Sequence, residues 1–471
     1  MDKQNLKDHK QIGQELELFF SHEYAPGAPF WLPKGLIIFK ELEKYIRNLT
    51  ENAGYLETST PIMVKNQLFK ESEHWTKFGE HNMYNLSIYE SEEITTALLD
   101  LKEKEKDIIK KIKEGHLEPF SIPLKISETQ NVPATIHPVG SQGEYRWTLD
   151  VNYSLKPMNC PESTIIYRFR PRTYKELPLR LSELGRLHRR EKSGEVNGLL
   201  RVRQITMDDA HIYVREDQIF EEVSGILDMI IEFYENFGFE YEFRFATRPE
   251  QKAGNDEMWD KAEKELEEVL KKKNIKASGK KGDGAFYGPK IDMHIKDALG
   301  RNWQLATVQL DFHMPQAFDL KYINEKGEYQ KPVMIHRAIF GSFERFIGIL
   351  TEHFQGAFPL WLSPVQVKLI PIADRHVEYA KIIVEKLEEE NIRVEIDDRS
   401  ETMQAKIRLA TLQKVPFMGI IGDKEVSAKG RSSSGRENGV ISVRTREGKD
   451  LGQVKISEFI KDLKEKIDKK V

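Results

Sequence analysis

The predicted order of strands and helices changes near residue 364, and this change constrains the fold more than any other feature. From residue 367 the order is strand (VKLIPI), helix, strand (IRVEID), helix, two strands (FMGIIG and ISVRT) and a last helix. That alternation is typical of a separate α/β domain, here of about 100 residues. A length of 471 residues exceeds one ordinary core and suggests two or three units; with the change of pattern we predict two domains, 1–363 and 364–471.

The first of these regions combines paired strands with separate helices. Residues 177–214 predict two antiparallel strands joined by the polar loop KSGEVNG. Apolar residues at three- and four-residue steps predict helices over 35–54 and 218–237. After residue 280, extended segments with tight turns precede an apolar helix that contains GSFERF.

Residues 86–150 differ in character from the sequence on either side. A charged helix with a thin apolar stripe is followed by a stretch that proline and glycine interrupt. We interpret this region as an insertion packed on the outside of the first domain, and expect a solvated helical hairpin without chemistry.

Composition narrows the class of protein. Hydrophobic residues make up 39% and charged residues 31%, the balance of a globular water-soluble chain. No apolar run approaches the roughly 18 residues of a membrane span, and the first residues lack the apolar core of a targeting peptide. One cysteine cannot form an internal disulfide, so we expect a cytoplasmic protein. Because neither a membrane span nor a targeting peptide is predicted, we also expect no membrane partner.

The net charge of −4 hides a basic stretch between residues 424 and 449. The stretch has three acids (Glu425, Glu437 and Glu447) and seven basic residues: Lys424, Lys429, Arg431, Arg436, Arg444, Arg446 and Lys449. A local basic patch can bind phosphates without a basic protein around it. A solvated surface loop explains the same charges, and charge alone does not decide between the two.

Two dispersed sets of residues are chemical candidates. The first set is four arginines: Arg189 at the end of a predicted strand, Arg201 and Arg203 on the return strand, and Arg345 at the start of an apolar helix. Their planar guanidinium groups suit a polyphosphate. Cys160, His211 and His336 are of zinc-ligand types, and three ligands leave a fourth position open. Each residue alone is more typical of an ion pair or a buried side chain, and their spacing does not identify a site.

At these same residues the chain closely resembles threonyl-tRNA synthetases, a family of class II aminoacyl-tRNA synthetases. The shared strings are PGAPFWLPKG, KPMNCP, LPLRLSELGRLHRRE, GLLRVR, DDAHI, GAFYGPKID, TVQLDF and PVMIHRAIFGSFERF. They span roughly 14–82 and 153–466. The resemblance implies an α+β class II catalytic domain with an antiparallel sheet of six or seven strands flanked by helices. It also implies a homodimer through the first class motif, which ends at Pro61, and a C-terminal α/β anticodon-binding domain.

The resemblance implies a threonine site as well. Cys160, His211 and His336 match the ligands of one zinc ion per chain, which binds the amino and hydroxyl groups of L-threonine. Asp209 matches the acceptor for the threonine hydroxyl. The remaining positions implied for the amino-acid pocket are Tyr287, Gln309, Met207 and Ser342.

For ATP, the resemblance implies that Arg189 holds the α-phosphate and the substrate carboxylate. Arg345 stacks on adenine, Glu191 contacts the adenine amino group and Arg201 lies near the γ-phosphate, while Ile205 and Gln304 complete the set. The resemblance implies that the threonine carboxylate attacks the α-phosphorus of ATP. Arginines with Mg²⁺ can align the reactants and neutralise their charge, so this step needs no general base. Glu425 and Arg444 match anticodon contacts on tRNA(Thr).

The chain departs from the family pattern at several positions. QITMDD replaces the usual GFTQDD, so that Ile205 replaces an aromatic ring on adenine, a contact worth about 0.5–1.5 kcal/mol, and Met207 replaces a glutamine. Asn197 stands where a histidine is common, and KPMNCPES replaces KPMNCPGH. None of these changes affects the zinc ligands or Asp209, so we expect threonine specificity with altered affinity.

About a dozen residues precede the match, where bacterial members usually carry TGS-like and editing domains. We therefore expect a natural short form, a duplicate or a truncated chain, with serine mischarged and edited in trans. The open alternatives are another class II synthetase, for proline, glycine or histidine, and a tRNA-binding paralogue without catalysis. The zinc ligands speak against the first, and the two arginines Arg189 and Arg345 against the second.

Overall fold

The computed structural model describes residues 6–139, 141–253, 255–427 and 439–470. The helices are α1 (His9–Glu15), α2 (Pro33–Asn52), α3 (Gln67–Glu71), α4 (Ser91–Lys113), α5 (Cys160–Arg168), α6 (Ile219–Glu235), α7 (Asp256–Lys272), α8 (His313–Ala317), α9 (Phe343–His353), α10 (Val377–Glu389), α11 (Met403–Leu412), α12 (Asp423–Ser427) and α13 (Ile456–Asp468). The strands are β1 (Phe19–Phe20), β2 (Phe30–Trp31), β3 (Leu56–Glu57), β4 (Met63–Lys65), β5 (Tyr84–Leu86), β6 (Phe120–Lys125), β7 (Asn131–Val139), β8 (Glu144–Leu149), β9 (Tyr153–Leu155), β10 (Leu179–His188), β11 (Gln204–Val214), β12 (Tyr241–Ala246), β13 (Ala277–Lys280), β14 (Lys290–Lys296), β15 (Asn302–Asp311), β16 (Tyr322–Ile323), β17 (Tyr329–Gln330), β18 (Val333–Ser342), β19 (Val367–Pro371), β20 (Val394–Ile396), β21 (Phe417–Ile421), β22 (Val440–Thr445) and β23 (Asp450–Lys455). Among the described residues, no helix is both long enough and apolar enough to cross a membrane.

An eight-stranded sheet organises the described part of the first domain, in the order β13-β12-β14-β15-β18-β11-β10-β3. Its six central strands are antiparallel, and this confirms the predicted α+β architecture. The two edge strands, β13 and β3, pair parallel to their neighbours. The sheet is therefore one strand wider than expected and mixed at both edges.

One face of this sheet is covered by helices and forms the main core. Along β11, Ala210, Ile212 and Val214 point to that face and are fully buried. Because side chains alternate along a strand, the residues between them point to the opposite face. Helices α6 and α9 supply the other half of the core, including Ile226 and Phe346. The predicted strand pair at 177–214 and the helices near 35–54 and 218–237 are thus confirmed.

The C-terminal region is an α/β domain, as predicted. Its sheet has the order β20-β19-β21-β22-β23, with β19 parallel to β20 and β21. Leu369 packs with Ile383 of α10 and Leu463 of α13. The sequence pattern did not predict β23, which is mostly exposed and therefore lacks an apolar alternation. Four members of the predicted basic stretch (Lys429, Arg431, Arg436 and Glu437) lie outside the described residues.

The expectation of a helical hairpin within 86–150 is wrong. Helix α4 packs on a three-stranded antiparallel sheet, β6-β7-β8, with a separate hydrophobic core. The members of this core are Ala97, Leu101, Ile108, Ile112, Ile122, Leu124, Ile126, Ala134 and Ile136. Pro123 of β6 and Pro133 of β7 lie opposite each other. These prolines interrupt the strand pattern in the sequence, which is why the two strands were not predicted.

The insertion leaves and re-enters the first domain at neighbouring strands. Leu86 at the end of β5 pairs with Tyr153 at the start of β9. The side chain of Asn152 bonds both the backbone N–H and the carbonyl of Ile88, at 3.0 and 2.7 Å. The two ends are therefore as close as the two arms of a β-hairpin.

We predict that Tyr89–Asp150 can be replaced by two or three glycines without unfolding the rest of the chain. The separate core and the paired ends mean that few stabilising contacts are lost. The measurement is thermal unfolding followed by circular dichroism, with an expected melting temperature within a few degrees of the parent. Removing Glu144–Leu149 alone, which opens the insertion's core, should instead produce aggregation. A short-loop variant that does not unfold cooperatively would contradict the prediction.

Candidate active site

The face of the sheet opposite the core carries the polar residues singled out in the sequence. Along β11, Ile205, Met207, Asp209 and His211 alternate with core residues, so all four point to this face. The adjacent Asp208 points the other way, where it accepts bonds from Arg337 and from two backbone N–H groups. The pleat of one strand therefore separates a structural aspartate from a candidate substrate-binding one.

Three zinc-type ligands converge at one end of this face. The ligand atoms of Cys160, His211 and His336 all lie within 4.8 Å of one another, and all three residues are buried. His211 and His336 are direct partners across β11 and β18, while Cys160 begins α5. Residues far apart in sequence thus meet because the strand register aligns them.

The donor set fits one metal ion. Burial raises the pKa of the Cys160 thiol and lowers that of His211, each well away from its ordinary value. Burial therefore holds the histidine neutral, the form that binds metal, while the thiol would release its proton on binding. Zinc is bound at about 2.0–2.3 Å by such nitrogen and sulfur ligands.

Asp311 orients one of these ligands. Its Oδ2 lies 2.8 Å from His336 Nε2, and its Oδ1 accepts the backbone N–H groups of His313 and Met314 at 2.7 and 2.8 Å. With the Nε2 proton held by this carboxylate, Nδ1 of His336 keeps a free lone pair. Carboxylate–histidine pairs of this kind fix the tautomer of metal ligands.

Asp209 is held beside the three ligands by an asparagine. Asn159 Nδ2 donates to Asp209 Oδ2 at 3.0 Å, and the same oxygen lies 4.0 Å from His211 Nε2. Asn159 packs over Gly185 so closely that a Cβ there would lie 2.3 Å from its Oδ1. Glycine at this position of β10 therefore makes room for the residue that positions Asp209.

Tyr287 and Gln309 complete this end of the face. The ring of Tyr287 stacks on His336 with 4.7 Å between centroids, and its hydroxyl donates to Gln309 Oε1 at 2.6 Å. Gln309 Nε2 then donates to Thr307 Oγ1 at 2.9 Å. The structure thus brings both residues to the three ligands.

A cavity of about 310 Å³ adjoins these residues along the same face. Nine of the residues named from the sequence line it: Arg189, Glu191, Arg201, Ile205, Met207, Gln304, Gln309, Ser342 and Arg345. Ser342 caps α9 by accepting from the backbone N–H of Arg345 at 3.0 Å. The cavity is therefore lined by arginines together with apolar side chains.

The charge of this cavity suits an anionic ligand. Burial lowers the pKa of Arg189 and of Arg345, and the positive charges of Arg189 and Arg201 lower that of Arg345 further. Glu191 offsets part of this charge through an ion pair with Arg201 at 2.8 Å. Guanidinium groups stay protonated at any physiological pH, so their mutual repulsion favours an anion between them.

A buried ion pair fastens the segment before Cys160. Lys156 Nζ lies 2.7 Å from Glu183 Oε1 and donates to Thr60 Oγ1 at 2.6 Å. Both charged side chains are almost fully buried. Removing one partner of a buried pair costs about 3–5 kcal/mol, so this pair holds Lys156 firmly in the segment that leads to Cys160.

Comparison with known proteins bears on this arrangement. Residues 145–354 match the family model described as the tRNA synthetase class II core domain (G, H, P, S and T), and 366–466 match the anticodon binding domain. The chain is 43% identical to the threonine–tRNA ligase of Carboxydothermus hydrogenoformans and 42% identical to that of Clostridium acetobutylicum, over its whole length. A crystal structure titled as the RNA binding domain of threonyl-tRNA synthetase from Cryptosporidium parvum is 32% identical with a TM-score of 0.80, and the match covers 98% of both chains.

The chain belongs to the threonyl-tRNA synthetase family. It has the class II core and the C-terminal α/β anticodon-binding fold of that family. It spans 63% of the length of the two bacterial relatives.

The two anticodon candidates of this family member lie in different surroundings. Glu425 is buried and accepts from Gly422, Ser442 and Gln453 at 2.9, 2.8 and 3.1 Å. Arg444 is partly exposed on β22. Glu425 is therefore held in place by three hydrogen bonds, and a carboxylate has room for one more donor.

Sequence reasoning missed three residues of the site. Asn159 and Asp311 lie inside quoted motifs, KPMNCP and TVQLDF, but only the structure reveals their contacts. His74 has no recognisable spacing; its Nε2 lies 3.4 Å from Cys160 Sγ, and burial lowers its pKa to about 4. All three contact another residue of the candidate site and do not line the cavity, so their residue types alone do not indicate a role.

The departure at KPMNCPES also has a structural account. Glu162 is buried, and neither carboxylate oxygen has a hydrogen-bond partner among the described residues. Burial raises its pKa to about 8, so the side chain is mostly neutral at pH 7. Ser163 bonds the hydroxyl of Tyr213 at 2.9 Å.

We predict that Asp311→Asn lowers zinc affinity about 10- to 100-fold. The asparagine oxygen can still cap α8, but its amide would then face His336 Nε2 as a donor. The ring would respond by carrying its proton on Nδ1, which removes the lone pair for the metal. Competition with a chromophoric chelator measures the affinity. Asp292→Asn, another buried acid on the same face, should leave it unchanged; equal losses in both variants would refute the assignment.

Proposed function

We propose that this protein is a threonine–tRNA ligase, which activates L-threonine with ATP and transfers it to the 3′ end of tRNA(Thr). The observation that supports this most is the joint position of Cys160, His211 and His336 beside Asp209, on the same sheet face as the arginine-lined cavity. One end of the face suits an amino acid with a hydroxyl group, and the other suits a nucleotide.

The proposed resident metal is one zinc ion per chain. Cys160, His211 and His336 would hold it, and Asp311 would orient the third ligand. A bound zinc supplies a Lewis-acidic open position for the amino and hydroxyl groups of threonine. Asp209 accepts a hydrogen bond from the threonine hydroxyl, and Asn159 keeps that carboxylate in place.

Amino-acid selection then depends on these side chains. Valine has nearly the shape of threonine, and an apolar pocket separates such pairs only about 100-fold. A site built around a hydroxyl rejects the analogue without it about 10⁴- to 10⁵-fold, because its polar groups are left unpaired. Tyr287, Gln309 and Met207 form the remaining amino-acid pocket, with Ser342 at its nucleotide end.

The activation step needs alignment and charge neutralisation. Arg189 binds the α-phosphate and the threonine carboxylate, and Arg345 packs on adenine. The threonine carboxylate attacks the α-phosphorus and pyrophosphate leaves, with Mg²⁺ bound to ATP. Since the nucleophile is already ionised, no residue has to remove a proton.

The other ATP contacts follow from the cavity lining. Glu191 binds the adenine amino group, Arg201 the γ-phosphate region, and Gln304 and Ile205 form the walls. Glu191 Oε2 accepts from Arg201 at 2.9 Å, which leaves Oε1 of the same carboxylate for the adenine amino group. In the second step the terminal ribose hydroxyl of tRNA attacks the carbonyl carbon of the threonyl-adenylate, so that the new ester forms as AMP leaves and the hydroxyl proton is released.

The proposed partners extend beyond the site. We assign residues 1–363 to catalysis, with the insertion at about 86–150, and 364–471 to the anticodon, with contacts from Glu425 and Arg444. Exposed apolar side chains near the first motif (Leu56, Ile62 and Met63) support a homodimer there. A cytoplasmic location and a separate editing factor remain predictions.

Threonine-dependent ATP–pyrophosphate exchange tests the proposal, and kcat/KM for threonine should exceed that for valine about 10⁴-fold. Cys160→Ser should abolish this preference together with the bound zinc. Ser163→Ala, a buried change in the same helix whose hydroxyl bonds Tyr213 and not a candidate ligand, should keep both. Equal exchange with threonine and valine in the parent protein would overturn the proposal.

We also predict that the isolated protein forms seryl-tRNA(Thr). Serine keeps the hydroxyl that the site reads and lacks a methyl group worth about 1–3 kcal/mol, so discrimination should be about 10- to 200-fold. Acid-gel separation of charged tRNA with labelled serine measures it. No seryl-tRNA at saturating serine, with threonine charged normally, would be the contrary result.

A further inference from the structure

The N-terminal helix α1 is fastened to the core by a buried histidine. His9 is 1% exposed, and its backbone N–H and its Nδ1 bond the same carboxylate oxygen, Glu352 Oε1, at 3.1 and 2.7 Å. Glu352 lies in α9, the helix that Ser342 caps and that carries Arg345. The contact joins residues 343 positions apart.

The second ring nitrogen of His9 binds the loop between β10 and β11. Nε2 accepts the backbone N–H of Leu199 at 3.1 Å. A ring with its proton on Nδ1 satisfies both contacts, because it donates to Glu352 and accepts from Leu199. The imidazole is therefore a bridge between α9 and this loop.

The part of this loop that His9 contacts is a tight turn over residues 197–201, which leads into Arg201. Leu200 N–H bonds the Asn197 carbonyl at 2.9 Å, and Asn197 N–H bonds the Arg201 carbonyl at 3.0 Å. Gly198 has φ +50°, and a Cβ there would lie 2.2 Å from His9 Nε2. Only a residue without a side chain allows the histidine to approach the turn this closely.

The turn is held from its other side by Arg345. Arg345 Nε donates to the Leu200 carbonyl at 2.9 Å, and its guanidinium lies 5.7 Å from the ring centroid of Trp303. Arg301 packs on the same ring at 5.4 Å and also bonds Glu352. Two routes thus connect His9 to the arginines of the cavity, one through the turn and one through Glu352.

We propose that His9 is a positioning residue for ATP: it sets the turn that places Arg201 and the backbone oxygen that holds Arg345. This inference rests on the proposed function, because it takes the cavity for the ATP site. It gives α1 a role in nucleotide binding although no residue of that helix lines the cavity.

Isothermal titration of ATP, without threonine, tests the inference on the full zinc-loaded chain. His9→Ala removes both bridging bonds of the ring and should raise the Kd for ATP on the order of tenfold, with zinc content and the Kd for threonine unchanged. Ile12→Val, a buried change in the same helix, should lower the melting temperature but leave ATP binding alone. An ATP Kd within twofold of the parent in His9→Ala, or an equal rise in Ile12→Val, would overturn the proposal.

Two further variants keep the test decisive if His9→Ala does not fold. His9→Gln keeps an acceptor for Leu199, and His9→Asn keeps a donor to Glu352 but cannot reach the turn. The proposal expects weaker ATP binding in His9→Asn only; equal Kd values in the two variants would refute it. A parent protein that binds ATP but shows no threonine-dependent exchange would count against the proposed function alone.

Discussion

The site depends on the two-residue period of the central strands. Ala210, Ile212 and Val214 anchor β11 in the core, and the residues that alternate with them are left to line the candidate functional face. A slip of one residue would bury His211 among apolar side chains and turn Ile212 toward the ligands. The same packing that stabilises the sheet therefore also fixes the register of the candidate metal ligands.

Buried polar contacts then fix the orientation of individual side chains on the face that the strand register establishes. The ion pair of Lys156 and Glu183, the carboxylate of Asp311 and the imidazole of His9 each join segments that are distant in the sequence. Burying charge is costly, so such groups rarely add net stability over apolar packing. Here they specify the direction of a neighbouring functional side chain, and hydrophobic contacts cannot do so because they lack direction.

Much of the fold could be predicted from local patterns. The spacing of apolar residues predicted the strands around KSGEVNG and the helix near 218–237. The alternation of strands and helices after residue 367 predicted the C-terminal domain. Patterns failed where apolar periodicity is weak: β23 is mostly exposed, and prolines interrupt the alternation of β6 and β7. The parallel edge strands are short, and pairing between distant segments leaves no local signal.

The candidate site was less accessible to residue patterns alone. Cys160, His211 and His336 are separated by tens of residues, and their common role came from family resemblance. Their proximity depends on the pairing of β11 with β18, which composition does not encode. Asn159, Asp311 and His9 show the same limit more strongly, because each works through hydrogen bonds to groups elsewhere along the chain.

The hairpin-like junction of β5 and β9 has a consequence for how such a chain can change. Leu86 and Tyr153 are paired, so a module with adjacent ends can be grafted between them without altering the path of either strand. Genetic gain or loss of a whole module would then be tolerated at a point only a few residues before Cys160. The same junction could accept a fluorescent reporter close to the candidate metal ligands.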